Sequence, residues 1–145
     1  MKVDEIRELI KKDTDFIEAE CNIDIASLSV PKLCSKYQSL IYDETMALRY
    51  FEKEFDIVKC QRTLYYTGKA DPEDYQKEPF DLKVLRSDLD LFLNADNKLN
   101  DYKDKVRAQQ QKLNYLTEFT KSIMGMSFNI GNAIKWKKFL NGEIG

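Results

Sequence analysis

The chain of 145 residues is about one domain long, and a third of it is charged: 23 Lys and Arg against 25 Asp and Glu give a net charge of −2. Histidine is absent, which excludes imidazole bases, Ser/His/Asp or Cys/His catalytic groups and the His-containing zinc and di-iron sites. Five Gly and three Pro are too few for the frequent turns of a barrel or sandwich, so the predicted fold is all-α.

The chain opens with MKVDEIRELI, which carries acids where an export signal needs a basic region followed by an unbroken apolar one. No run reaches the roughly 18 apolar residues of a membrane span, so a protein that is neither exported nor membrane-spanning is expected. Val3, Ile6, Leu9 and Ile10 recur at helical spacing and predict a short amphipathic helix over 2–12. Phe16 to Ile25 shows no sustained period and reads as a connector. Cys21, Cys34 and Cys60 are odd in number and form no CxxC, which fits reduced thiols in a cytosol rather than a disulfide framework or zinc ribbon.

Ser29 before Pro31 predicts a helix start, since a Ser hydroxyl caps free amides and Pro fits the first turn. From there Leu33, Tyr37, Leu40, Ala47, Phe51, Phe55, Val58 and Tyr65 follow in heptad-like steps, with Glu44 and Arg62 filling the gaps in the seam. The helix runs to about Thr67, roughly 54 Å at 1.5 Å per residue, and Gly68 stops it. GKADPEDYQKEPF, with Pro72, Pro79 and four acids, reads as an acidic loop near 70–81. A second periodic run, Leu82, Leu85, Leu89, Phe92, Leu99, Tyr102, Val106, Leu113, Leu116, Phe119 and Ile123, is interrupted only by Asp96 and Gln109/Gln110 and returns antiparallel to the first. The result is a long antiparallel helical hairpin with a short N-terminal helix and a C-terminal oligomerisation helix. Its divisions within one domain, 1–145, are 1–28 (helix and connector), 29–120 (hairpin) and 121–145 (tail).

The tail, SIMGMSFNIGNAIKWKKFLNGEIG, alternates small residues with large apolar ones, and Ile123, Phe128, Ile130, Ala133, Ile134 and Trp136 form its expected assembly face. A second account of the same segment makes Trp136, Phe139 and three lysines a basic anchor on a membrane surface. Charge is segregated along the chain: net −4 over 1–31, +2 over 32–69, −5 over 70–104 and +5 over 105–145. Two stretches lack acids altogether, Ile57–Lys69 and Phe119–Gly142, and are candidate polyanion contacts.

Paired acids do not make a metal site: Asp88 and Asp90, two apart, point to different faces of a helix, and Asp101 and Asp104, three apart, have no third ligand cluster beside them. No phosphate-binding GxxxxGK[ST] loop exists, and no base stands beside a Ser, Thr or Cys, so neither an enzyme nor a cofactor is expected. The motif with chemistry in it is KCQRTLYYTGK. There Lys59, Arg62 and Lys69 offer phosphate contacts and Tyr65 and Tyr66 offer stacking surfaces, the combination that single-strand binding uses. A purely structural account packs Tyr65 into the seam and lays Tyr66 over the loop.

ELIKKD at the end of the opening segment, RTLYYTGK at a helix end, and GNAIKW after a long helix beginning VLRSDLD stand in the order and spacing of one family, and over nearly its whole length the chain resembles the UvsY recombination mediators of tailed phages. The resemblance implies a homo-oligomeric, hexameric or heptameric ring in the host cell cytoplasm. Such a ring binds single-stranded DNA, displaces or rearranges the phage single-strand binding protein and helps load the phage recombinase. It further implies that Arg62 matches the arginine of the family's Lys-x-Arg-Leu DNA-binding motif. The sequence departs from that motif at Cys60, which takes the lysine's place with Lys59 one step earlier, about 100° around the helix, and at Thr63, which replaces the leucine. Ile130, Ala133, Ile134 and Trp136 match the apolar face of the family's assembly segment. The alternative is a coiled-coil scaffold or adaptor that binds no nucleic acid.

Overall fold

The structure, a computed structural model, describes residues 1–18 and 23–142. Among the described residues five helices follow in order: α1 Val3–Glu18, α2 Ile23–Tyr66, α3 Pro72–Lys77, α4 Leu89–Ala95 and α5 Asn97–Leu140. No strand occurs among the described residues, and the fold is all-α. Cys34 and Cys60 are free thiols, while Cys21 lies outside the described residues.

α1 runs six residues past its expected end at 12, into the stretch read as a connector, of which 19–22 lie outside the described residues. Tertiary contacts extend it: Asp13 accepts hydrogen bonds from Tyr37 at 2.9 Å and Lys36 at 2.6 Å. α2 begins at Ile23 rather than Ser29, so that Pro31 sits inside the helix instead of in its first turn. A proline there removes a hydrogen bond and crowds the preceding turn. Burial of the neighbouring Val30 in the core opposes that penalty.

The chain forms two compact units, Met1–Asp43 with Lys112–Gly145, and Glu44–Gln111, so each long helix contributes to both. In the first, Ile6, Val30, Tyr37, Leu116 and Ile123 make a buried cluster with Ile10, Leu33, Leu40 and Phe119 packed against it. The Tyr37 ring meets Phe119 edge-on, centroids 4.8 Å apart. In the second, α2 and α5 run antiparallel, with Glu44 opposite Gln109 and Arg62 opposite Asp96. Gln109 Nε2 donates both to the Glu44 carbonyl at 2.9 Å and to its carboxylate at 2.6 Å, which satisfies a polar pair on the buried seam.

The α2 terminus confirms Gly68 as the stop. Its φ of +77° is a left-handed conformation open to glycine, and Lys69 N–H to the Leu64 carbonyl with Gly68 N–H to that of Tyr65 closes the helix end. The acidic loop is itself partly helical: Pro72 opens α3, with Glu73 and Asp74 in its first turn, where acids complement the free amides. The second periodic run is not one helix. Leu82 and Leu85 are exposed in an extended and turning stretch, and VLRSDLD leads only into the short α4. Asp96 then breaks the path and starts α5 by accepting the Leu99 N–H at 2.8 Å.

Candidate nucleic-acid interface

Residues 62, 65 and 66 stand three and four apart at the end of α2 and so share one side of it. Arg62 is the hub. Its Nε donates to Asp96 at 2.6 Å, its Nη1 and Nη2 donate to the two Glu78 oxygens at 3.1 and 3.3 Å, and Nη2 also reaches the Tyr66 hydroxyl at 3.4 Å. The guanidinium lies 4.2 Å from the Tyr65 ring centroid and 5.2 Å from that of Tyr66, where the ring faces favour a cation. Tyr66 donates to Asp96 at 2.6 Å, and Tyr65 to the backbone carbonyl of Glu78 at 2.9 Å.

An aromatic cluster surrounds this network. Tyr75 stacks on Tyr65 with centroids 5.3 Å apart and donates to the Tyr65 carbonyl at 2.8 Å. Phe80 and Phe92 flank Tyr66 at 5.3 and 5.6 Å. Together these contacts tie the end of α2 to α3, α4 and the start of α5.

The electrostatics follow from burial and pairing. Burial works against the Arg62 charge, yet hydrogen bonds to Glu78, Tyr66 and Asp96 outweigh it and hold the guanidinium charged beyond even its usual range. Burial likewise opposes the Asp96 charge, but the Tyr66 hydroxyl, the Leu99 amide and Arg62 bring its carboxyl below the ordinary value. The Arg62 hydrogen bond does the same for Glu78. Burial raises both tyrosines, so they stay neutral.

The five residues read as strand contacts therefore separate. Lys59 and Lys69 are exposed. Arg62 and Tyr65 are buried and Tyr66 is half-buried, and each makes hydrogen bonds within the chain. A groove of about 670 Å³ brings together Arg62, Tyr65 and Lys69 with Lys77, Lys98 and Glu78, whereas Lys59 and Tyr66 do not line it. Sequence reasoning missed Glu78, Asp96 and the rings of Tyr75, Phe80 and Phe92. For Asp96 a signal was present, a helix-capping residue three before the buried Leu99.

The tail divides in the same way. Ile123 belongs to the first unit's own core rather than to an outer face. Phe128 and Trp136 are 72% and 60% exposed, Ala133 is exposed and Ile134 half-buried, and the Ile130 side chain lies outside the described ones. Trp136 stacks on the exposed Phe139, centroids 5.6 Å apart. Lys121, Lys135, Lys137 and Lys138 are exposed on the same helix. Among the described residues no helix is long and apolar enough to cross a membrane, and no group of three or more His, Cys, Asp or Glu gathers as for a metal ion.

A search of the curated proteins finds no match. Among solved structures, a crystal structure of the bacteriophage T4 recombination mediator protein UvsY shares the fold, with a TM-score of 0.80 at 17% identity, covering 96% of this chain and 99% of that one. The family model described as "Recombination, repair and ssDNA binding protein UvsY" matches residues 7–143, and with nearly the whole chain inside that match the protein belongs to the UvsY family.

Proposed function

We propose that this protein is a recombination mediator that binds single-stranded DNA as a homo-oligomer and promotes loading of a phage strand-exchange recombinase onto DNA covered by single-strand binding protein. The observation that carries the reading is the family match over 7–143, whose description names recombination, repair and single-stranded DNA. It acts as one domain over 1–145, in the host cytoplasm, with no catalytic step.

In this mechanism the Arg62 network fixes the end of α2, and the exposed Lys59 and Lys69 meet phosphates there without reading sequence. The tail, with Phe128, Ala133 and Trp136 exposed and Ile130 and Ile134 in the same segment, assembles copies into a hexameric or heptameric ring, while Ile123 supports that helix from within. Ring formation multiplies weak contacts through effective concentration. The strand is then held in a shape the recombinase prefers, a population shift that needs no nucleotide hydrolysis from this chain.

The test is titration of fluorescent single-stranded DNA at several salt concentrations, with light scattering reporting mass on the same sample. Binding by a multimer, weakening with salt, is the expected result. Changing Lys59 and Lys69 to Ala shallows the log-log salt slope by roughly 0.7 for each phosphate no longer neutralised. A multimer that ignores DNA at low salt would establish the coiled-coil scaffold instead.

A further inference from the structure

Tyr65 and Tyr66, the rings that the sequence offers as stacking surfaces, have their faces in use: Arg62 lies against both, and Phe80 and Phe92 enclose Tyr66. Phosphate contacts by exposed lysines do not tell one strand from two, because a duplex presents phosphates as readily. Preference for a single strand needs a surface that meets the faces of unpaired bases, which a duplex keeps covered by stacking.

Tyr75 has such a surface. It stands half-buried on α3, with one ring face stacked on Tyr65 at an angle of 17°. Its hydroxyl donates to the Tyr65 carbonyl at 2.8 Å and accepts from the Ala70 N–H at 3.4 Å, so the ring is fixed at its face and at its tip. Among the described residues no other ring touches it. A cavity of about 340 Å³ opens beside it, walled by Tyr66, Gly68, Tyr75, Phe80, Asp81 and Lys83. Tyr65 is absent from that wall, so the part of the Tyr75 ring that lines the cavity is the part Tyr65 leaves uncovered. Phe80 is held in turn by Tyr65, Tyr66 and Phe92, with centroids 5.3, 5.3 and 6.0 Å away. A wall of rings already fixed loses little freedom when a flat ligand arrives.

Size and charge narrow the occupant. The volume is at the small end of ligand sites, which run to roughly 300–1,000 Å³, and suits one nucleoside rather than a helix of a partner. Asp81 and Lys83 carry opposite charges, so the cavity favours a neutral ring with polar edges over a phosphate. The exposed Lys69 directly follows Gly68 of the cavity wall, which puts a phosphate contact next to the cavity along the chain.

We propose that this cavity is a stacking site for one unpaired nucleobase of the bound strand, with the uncovered face of Tyr75 as its platform, and that it supplies a preference for single-stranded over duplex DNA. The inference rests on the reading that this chain binds single-stranded DNA. Every base has a π-face, so the site accepts any sequence. Lys69 holds the backbone while the base turns inward, and the two contacts respond differently to salt: the phosphate contact weakens with it and the stacked base does not.

The experiment compares the full-length protein with Tyr75→Leu and Tyr75→Phe, with helicity and mass recorded for each. The probes are fluorescent oligothymidylate, an abasic strand of equal length and a duplex of equal length, each titrated over a salt series. Tyr75→Leu is expected to weaken oligothymidylate binding about five- to tenfold, the low end of what a stacked base contributes, with the salt slope unchanged because no phosphate contact is lost. Binding to the abasic strand and the duplex should stay as in wild type, so the gap between single strand and duplex narrows by the same factor. Tyr75→Phe, which keeps the ring face, should behave as wild type. Should Tyr75→Leu lose helicity, bromodeoxyuridine placed in the strand tests the wild type directly: irradiation is expected to link it to the segment holding Tyr75, and links confined to other segments, or none, would overturn the site. Undiminished oligothymidylate binding by a folded Tyr75→Leu would also overturn it while leaving the mediator reading standing. Equal weakening on the base-bearing and abasic strands together with a smaller mass would overturn it too, giving the cavity to a side chain of a second copy. No binding by wild type at the lowest salt would overturn both.

Discussion

A guanidinium that is 10% exposed is stable at the end of α2 only because its pairing is complete, and Asp96 supplies the inner half of that pairing. Asp96 also caps α5 and accepts from Tyr66, so Asp96→Ala removes three interactions and leaves Arg62 without its buried partner. The expected loss is about 3–5 kcal/mol, read as a lower midpoint in urea unfolding. The same pairing sets the acid limb of stability. Asp96 and Glu78 titrate below their ordinary values of 3.8 and 4.5, so their contribution is fully present above those values and is lost as pH falls through the lowered folded ones. Tyr37 works in the opposite sense. Burial, then its hydrogen bond to Asp13, raises its pKa above 10.0, so stability is full below that pH and lost as pH rises through the folded value. Tyr37→Phe is expected to reduce the alkaline loss, to which Tyr65 and Tyr66 also contribute, as followed by circular dichroism between neutral and strongly basic pH.

At the scale of elements, what was legible in the sequence was local. Gly68 marked the helix stop because a left-handed turn needs no long-range partner, and Gly68→Ala, which meets no atom within 4 Å, should cost only its backbone strain, about 1–2 kcal/mol. Glu44 and Arg62 were legible as polar residues on the buried seam by register alone. Their partners were not, since Gln109 and Asp96 lie 65 and 34 residues away and a single chain carries no sign of which residues meet. Leu82 and Leu85 continued the helical spacing without belonging to a helix, and the period ran on across the later break at Asp96 as well. Phosphate-binding residue types at the end of α2 were readable, but their commitment to Glu78 was not, because that depends on how α3 folds back. The start of α2 departs from expectation for a related reason: Ser29 and Pro31 satisfy the local rule for a helix start, and packing around Val30 overrides it. Pro31→Ala should therefore restore a mid-helix hydrogen bond and stabilise the protein by up to about 3 kcal/mol, visible in thermal melts. A helix starting at Ser29 would show almost no gain.

Across the whole molecule, the unmet demand is the apolar surface of the tail, where Phe128, Trp136, Phe139 and Leu140 are each at least 60% exposed in the single chain. Surface of that kind is costly in water and is stabilised by association. Gly125 and Gly131 provide a way to tell assembly from a merely sticky end. Both lie inside α5, and a Cβ added at either meets nothing within 4 Å, so in an isolated chain alanine should strengthen the helix by about 0.5–1 kcal/mol at each position. Where copies pack helix against helix through the tail, the same methyl groups push the backbones apart. The double variant Gly125→Ala, Gly131→Ala is thus expected to show a smaller mass by light scattering, together with weaker single-stranded DNA binding as avidity falls. An unchanged mass with a raised melting temperature would place the glycines away from any contact between copies and move the assembly surface elsewhere on the chain.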